Sequence, residues 1–403
     1  MSGHRLEAAI VADDLTGALD MAAPFASRGF ATRLLLDHGH KATDPDTQIL
    51  TLTSASRELP PQEAANNIRI AMDAALACKP RLLISKIDST LRGDVANAIL
   101  TALQGSGLGH ALIATAVPGQ GRIVRGGEVY VNGVPLRENP IRFDPSSFPS
   151  VPLSELLRAS CPEMSVHSWQ RGQTSPLSDS SGLHAYVADC ESDDDLDRLA
   201  GFAVDHSDRL LVVGASGLGT ALAKQLDARR TPNIASTIRS ASRRIATILF
   251  VVGSRTPVSA AQVARLLEEG AEEIAMPFPF AGGDASFCRS DGVQPSLMVL
   301  RPPSSLEFAG HSSDEIAAVL GQNAARLARH FKIDAVVMSG GDTALAIFRA
   351  LGIKHAVLHH ELSPGTAIGA FETEGAPVAF VTKSGSFGDS DALLQIARSL
   401  RSA

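Results

Sequence analysis

Cysteine is scarce in this chain of 403 residues, and the four present, Cys78, Cys161, Cys190 and Cys288, stand far apart with no CxxC pair. That spacing removes the signature of a disulfide framework and predicts free thiols, buried or partly buried, in a reducing compartment. Basic runs are missing as well. With a net charge of −7 and only isolated doublets at Arg229-Arg230 and Arg243-Arg244, the chain lacks the stripe of a nucleic-acid binder. No apolar segment approaches the roughly 18 residues that a membrane-spanning helix needs. The N-terminal apolar run, Ala8 to Ala12, is too short for a secretory signal. A cytoplasmic protein without nucleic-acid or membrane partners is expected. The phosphate loop of the common nucleotide hydrolases is also absent, since no Gly-Lys-Ser/Thr follows a glycine at the required spacing.

What is present is an ordinary α/β balance, with 44% hydrophobic and 20% charged residues, 34 Gly and 22 Pro. The length predicts two domains, each able to bury its own core. The most informative stretch is VVMSGGDTALAIFRALGI, Val336 to Ile353, in which an apolar strand enters a Gly-Gly-Asp-Thr turn and then an amphipathic helix. Glycines let backbone approach an anion, and the first N–H groups of a helix point outward with the positive end of its dipole behind them. Ala376 to Leu400 repeats strand, Gly-rich loop and helix, placing Lys383 at the loop's mouth. Thr247 to Gly270 does so too, with its strand ending at Gly253-Ser254 and a helix opening near Pro257. One such loop also describes a plain βα connection. Three in the C-terminal part, each with a hydroxyl, Asp or Lys, predict a nucleotide-binding domain, because ligands gather at the carboxyl ends of neighbouring strands.

The N-terminal half alternates strand and helix throughout: Leu6 to Ala12, Phe30 to Leu36, Gln48 to Thr53 and Arg81 to Ser85 read as strands, and Thr16 to Arg28, Gln62 to Ala77 and Gly93 to Leu103 as helices. This rhythm predicts a mostly parallel sheet with helices on both faces. Within Gly127 to Leu136, the Asn132-Gly133 pair signals a β-hairpin. Asp227 to Arg244 is the linker candidate, so the expected domains are 1–240 and 241–403.

Chemistry collects at strand ends. The first strand runs into Asp13-Asp14-Leu15-Thr16-Gly17. Asp14 or Thr16 has the position of a helix cap, yet two adjacent carboxylates are tolerated most easily beside a cation or substrate hydroxyls. The segment LLISKIDSTLRGD, Leu82 to Asp94, gathers Lys86, Asp88, Ser89, Thr90, Arg92 and Asp94 behind an apolar strand, more than a cap needs. Cations among acids and hydroxyls suit a small polar anion. Arg57, after a third strand, reads either as a crevice residue or as a solvated surface arginine.

Taken in order, Asp13-Asp14-Leu15-Thr16-Gly17-Ala18, Lys86-Ile87-Asp88-Ser89-Thr90-Leu91-Arg92-Gly93, Gly340-Gly341-Asp342-Thr343 and Lys383-Ser384-Gly385-Ser386-Phe387-Gly388 resemble the signatures of the four-carbon acid sugar kinases. The likeness extends from Ala9 to Leu393. It implies an ATP-dependent enzyme that phosphorylates threonate, erythronate or 3-oxo-tetronate. It further implies a sugar-acid site at Asp13 or Asp14, Arg57 and Lys86, Ile87, Asp88 and Ser89. ATP would meet Ser254, Gly340, Gly341, Asp342, Thr343 and Gly385 with its neighbours Lys383 and Ser384. Arg57, Lys86 and Arg92 with the acids could hold carboxylate and hydroxyls, while Lys383 and Mg²⁺ hold the triphosphate. Asp14 or Asp88 is the expected acceptor or orienter of the reacting hydroxyl, with Asp342 as rival. Two departures stand out. The stretch Ala114-Thr115-Ala116-Val117-Pro118-Gly119-Gln120-Gly121-Arg122 has small residues in place of the aromatic that usually precedes a Pro before the hairpin, and Asp94 stands where Asn is common, so a wider pocket and a related hydroxy acid are open alternatives. A non-catalytic, nucleotide-gated sensor is the alternative from another class, and a homodimer the default assembly.

Other features take plainer readings. His359-His360 has no third ligand at useful spacing and falls in a loop. Asp193-Asp194-Asp195 reads as an acidic first helical turn. The glycines of Gly214 to Gly219 have the wrong spacing for a dinucleotide fingerprint.

Overall fold

Runs that are apolar at nearly every position, without alternation, make the central strands, because each is covered on both faces. Ala8–Ala12, Leu82–Lys86, Leu210–Gly214 and Ile248–Val252 are buried from end to end. The computed structural model describes residues 6–39, 44–141, 148–173, 177–178, 180–230, 245–254, 256–274, 295–302, 312–373, 376–385 and 387–402. The chain divides into two units, Met1–Ile238 and Arg239–Ala403. The boundary expected near residue 240 lies outside the described residues.

The first unit runs β1 (Ala8–Ala12), α1 (Leu15–Ser27), β2 (Thr32–Leu35), β3 (Ile49–Thr53), α2 (Pro61–Ala77), β4 (Leu82–Lys86), α3 (Val95–Ser106) and β5 (His110–Ala114). Three short strands follow, β6 (Arg122–Arg125), β7 (Glu128–Val131) and β8 (Val134–Pro135). The unit closes with α4 (Leu153–Ser160), β9 (Met164–Trp169), β10 (Leu183–Ala188), α5 (Asp193–Asp205), β11 (Leu210–Gly214) and α6 (Ser216–Arg229). Its sheet has the order β2-β3-β1-β4-β11-β5-β10-β9, parallel throughout. The connection from β1 to β2 runs one way along the sheet, and those from β3 to β4 and β4 to β5 run the other. Right-handed crossovers then put α1 on one face and α2 and α3 on the opposite face. Accordingly, α1 and α5 pack on α6, while α2 and α4 pack on α3. Because neighbouring β1 and β4 send their chains apart, a crevice opens beyond their carboxyl ends.

The strict alternation expected here breaks where β2 leads to β3 and β9 to β10 with no helix between them among the described residues, and at the run of β6, β7 and β8. The predicted hairpin forms between β7 and β8, with Asn132 at φ 51° and Gly133 at φ 80°, the left-handed pair that its two-residue turn demands. Strand β6 extends it to three antiparallel strands. The acidic triplet opens α5 behind a Ser192 cap that Asp195 reciprocates.

The second unit runs β12 (Ile248–Val252), α7 (Pro257–Glu268), β13 (Glu272–Ile274), β14 (Leu297–Leu300), α8 (Ser313–His330), β15 (Ala335–Ser339), α9 (Gly341–Ala350), β16 (His355–Ser363), β17 (Thr366–Glu372), β18 (Pro377–Lys383) and α10 (Ala392–Ser402). Its strand order is β13-β14-β12-β15-β18-β17-β16. Pairing is parallel from β13 to β18, then antiparallel on both sides of β17. That hairpin, turning at Pro364-Gly365, is not predicted by the strand-loop-helix pattern, and it corrects His359-His360 from a loop into β16. Cys161 and Cys190 are buried free thiols and Cys78 is half-buried; Cys288 lies outside the described residues. Among the described residues no helix is long and apolar enough to cross a membrane.

Candidate active site

The crevice of the first unit takes its side chains from strands far apart in sequence. Asp13 and Asp14 follow β1, Arg57 follows β3, and Lys86 ends β4. Asp14 is the helix cap, accepting from the Gly17 N–H at 2.8 Å. The same carboxylate also meets Arg57, whose guanidinium donates to Asp13 through Nε at 2.9 Å and Nη2 at 2.8 Å. It donates to Asp14 through Nη1 at 2.9 Å and Nη2 at 2.8 Å. One cation thus resolves the repulsion of the adjacent acids. Burial pushes the Asp14 carboxyl up, but Arg57 and then Lys86 outweigh it and hold it below its ordinary value. The Arg57 side chain is only 9% exposed, which corrects the solvated-surface reading.

Lys86 is buried. Its ammonium occupies a notch that α1 leaves at Gly17, where an added Cβ would come within 2.7 Å of Nζ and 2.4 Å of Asp14 Oδ1. Ile87 is buried, and its N–H donates to the Gly214 carbonyl at 3.0 Å, so its contribution is backbone that ties β4 to β11. Asp88 anchors the turn that follows. It accepts from the Thr90 N–H at 3.2 Å, the Thr90 hydroxyl, Arg92 Nε at 3.0 Å and Arg92 Nη2 at 3.0 Å. Burial raises the Asp88 carboxyl, yet Arg92 first and Arg57 next hold it well below the usual carboxylate range. Ser89 accepts from Nη1 of Arg122, on β6.

Two residues here escape the motif reading. Arg122 enters from the small antiparallel sheet, and only its neighbours attract notice in sequence. Asp20 stands on the second turn of α1, hydrogen-bonded to Ser216. Its signal is the spacing Asp14, Gly17, Asp20 along one helix face.

In the second unit, three strand ends meet. The Gly253 N–H donates to the Ser339 carbonyl at 3.2 Å, and the Gly340 N–H to the Lys383 carbonyl at 3.1 Å. Gly340 caps α9 at φ 111°, a conformation open to glycine, with no side chain on the helix's first N–H groups. Asp342 is exposed on the first turn and Thr343 buried beneath it. Ser254 Oγ lies where a Cβ on Gly385 would come within 2.4 Å, so these two loops touch.

Lys383 departs from expectation. It is 1% exposed and not at the mouth of its loop; Nζ donates to the carbonyls of Ser384 at 2.8 Å, Phe387 at 2.7 Å and Gly385 at 3.5 Å. Ser259 Oγ donates to Gly385 O at 2.8 Å, and Gln262 Nε2 to Phe387 O at 3.0 Å and Asp389 O at 2.8 Å. The loop's carbonyls are thereby drawn inward. Burial lowers the Lys383 ammonium to about 8.

Among the described residues no group of three or more His, Cys, Asp or Glu forms a metal cage.

Residues 8–222 match the model of a sugar-binding N-terminal domain, and residues 296–393 that of a nucleotide-binding C-terminal domain. The chain is 30% identical to a D-threonate kinase of Bordetella bronchiseptica, covering 97% of each chain. It is 26% identical to a 3-oxo-tetronate kinase of Brucella melitensis biotype 1, covering 96% of this chain and 94% of that one. The crystal structure of a Salmonella typhimurium LT2 protein aligns with a TM-score of 0.75 at 21% identity, over 97% of this chain and 99% of that one, and shares the fold.

Proposed function

The chain belongs to the four-carbon acid sugar kinase family, and on that premise we propose that it transfers the γ-phosphoryl group of ATP to the terminal hydroxyl of threonate, erythronate or 3-oxo-tetronate. The observation that carries this reading is the buried, charge-paired crevice beyond β1 and β4. A crevice already lined with oriented acids and cations suits a ligand that carries hydroxyls and one carboxylate.

Asp13 and Asp14, held in place by Arg57, accept sugar hydroxyls. Arg57 thus presents the acids and does not itself clamp the substrate. Lys86 faces the negative charge of the acid and of the transferring group. Asp88 with Arg92 shapes the turn that offers Ser89 and the backbone of Ile87. Arg122 adds a cation beside Ser89; burial lowers its proton affinity, so an entering carboxylate restores what burial removes. With their lone pairs taken up by arginine, Asp14 and Asp88 fit orientation of hydroxyls better than proton transfer.

ATP would meet Ser254, the helix start from Gly340 to Thr343, and the Ser384-Gly385 backbone, whose carbonyls are turned away. Lys383 shapes this loop from behind. Mg²⁺ would neutralise charge on the phosphates, with Asp342, exposed on the first turn of α9, available to assist.

The test is ADP release from Mg²⁺-ATP across D- and L-threonate, D- and L-erythronate and 3-oxo-tetronates, extended to other hydroxy acids. Acid-dependent ADP release with a phosphorylated product is expected. ATP and acid binding without turnover on any acid would replace the kinase with a sensor.

A further inference from the structure

The carboxylates most visible in the sequence are the ones least suited to take a proton. Asp13 and Asp14 share one guanidinium, and Asp88 accepts from Arg92 and Thr90. A hydroxyl attacking phosphorus still needs somewhere to leave its proton.

Asp20 faces the same crevice. It lies one turn beyond Gly17 and two beyond Asp14, so the three positions climb one face of α1. Lys86 Nζ sits in the Gly17 notch of that face. The groups around Asp20 come from four elements: Lys86 from β4, Ser216 from α6 through a hydrogen bond, Asp14 at the start of α1 and Arg122 from β6. Asp20 takes a hydrogen bond from the neutral Ser216 hydroxyl, where Asp13, Asp14 and Asp88 carry bidentate arginines. Burial pushes Asp20 above its ordinary value, by more than Lys86 and the Ser216 hydrogen bond bring it back. Asp14 and Asp88 are shifted the other way.

We propose that Asp20 is the catalytic base of phosphoryl transfer, with Ser216 as the positioning residue that holds its carboxylate; the assignment rests on the kinase reading above. As the substrate oxygen bonds to the γ-phosphorus, the bond from that phosphorus to the β–γ bridging oxygen breaks. The electron pair leaves with ADP. The hydroxyl proton passes to the Asp20 carboxylate and from there to solvent.

The experiment begins with wild-type turnover on the acid panel, then compares Asp20→Asn, Asp20→Glu and Ser216→Ala on the acid that is turned over. Asp20→Asn should lower kcat by about 10²–10⁴-fold, the usual span for losing a general base. Calorimetric binding of the acid should stay within about threefold, and the acid limb of the kcat–pH profile should vanish. Asp20→Glu should restore part of kcat with that limb present. Ser216→Ala removes a hydrogen bond that lowers the Asp20 carboxyl, so the acid limb should move to higher pH while kcat falls only a few-fold.

If Asp20→Asn keeps kcat within about tenfold, keeps the acid limb, or loses acid binding in step with turnover, Asp20 is not the base. A silent wild type overturns the kinase reading and this assignment together, whereas an active wild type with an active Asp20→Asn overturns the assignment alone.

Discussion

At the end of β1, one arginine holds two carboxylates through four side-chain hydrogen bonds. At the end of β18, one lysine holds three carbonyl oxygens of its own loop. Both cations are buried at the ends of parallel strands, but the surface they leave behind differs. The first presents side chains, whose identity and reach can discriminate among hydroxyl patterns. The second presents backbone N–H groups and a helix start, which suit any phosphate chain. Selectivity and generic anion affinity are thus built from different parts of the polypeptide.

The contrast breaks first if Arg57 proves dispensable. Arg57→Met leaves two adjacent buried carboxylates without their cation, so urea unfolding should reveal a loss of about 3–5 kcal/mol. Arg57→Lys should recover only part of it, because an ammonium cannot reproduce the planar fork. Unchanged stability in Arg57→Met would make the ion cluster decorative.

Asp88 sharpens the same side. Its depressed folded value means that its stabilisation is present above the ordinary carboxylate value of 3.8 and is lost as pH falls through the folded value. Asp88→Asn should therefore cost about 2 kcal/mol at neutral pH, discounted for the exposure of Arg92. It should also flatten the acid side of the stability–pH curve. Equal acid sensitivity in both proteins would contradict this.

On the backbone side, Lys383→Met should raise the KM for ATP about tenfold, since three carbonyls lose a charged donor, and leave the KM for the acid unchanged. Wild type should show two opposed trends from about pH 8 towards 10.5, the window set by the lowered ammonium. There the unfolded chain keeps a proton that the folded chain has released, so folding stability rises with pH. ATP affinity falls over the same window as the charge behind the loop disappears. A flat ATP KM across that window would separate Lys383 from nucleotide binding. The smallest effect is expected for Gly385→Ala. Its Cβ would press on Ser254 Oγ at 2.4 Å, and a rise of a few-fold in ATP KM, about 1 kcal/mol, follows if the serine rotates away. An unchanged KM would show that the two loops need not touch.

Much of this was legible in the sequence where the signal is local. Continuous apolar runs, the Asp14 cap, the Asn132-Gly133 turn and the glycines before α9 all act within a few residues. What stayed hidden is long-range. Nothing around Arg57 indicates that its partners lie 44 and 43 residues earlier. A lysine beside a Gly-rich loop looks like a phosphate ligand until packing turns it inward, as for Lys383. The antiparallel pairing of β17 is a tertiary choice, since strand-length apolar patterns carry no direction. Asp20 was written in the spacing of α1, but a polar residue within a helix has a solvated face as its ordinary explanation.

The register of the first sheet has a further consequence. Thr53, Ala12 and Lys86 stand side by side on β3, β1 and β4, and the charged residues follow directly from those ends. A slip of β3 by one residue would shift the turn that carries Arg57 by about 3.3 Å and turn the strand's core side chains to the wrong face. Because these pairings join distant parts of the chain, they are expected to form slowly. The ion cluster can close only when all three strands have aligned correctly, so a misregistered intermediate would keep its repelling carboxylates unanswered. The same charges that ready the crevice for a ligand also act as a checkpoint on the chain's own assembly.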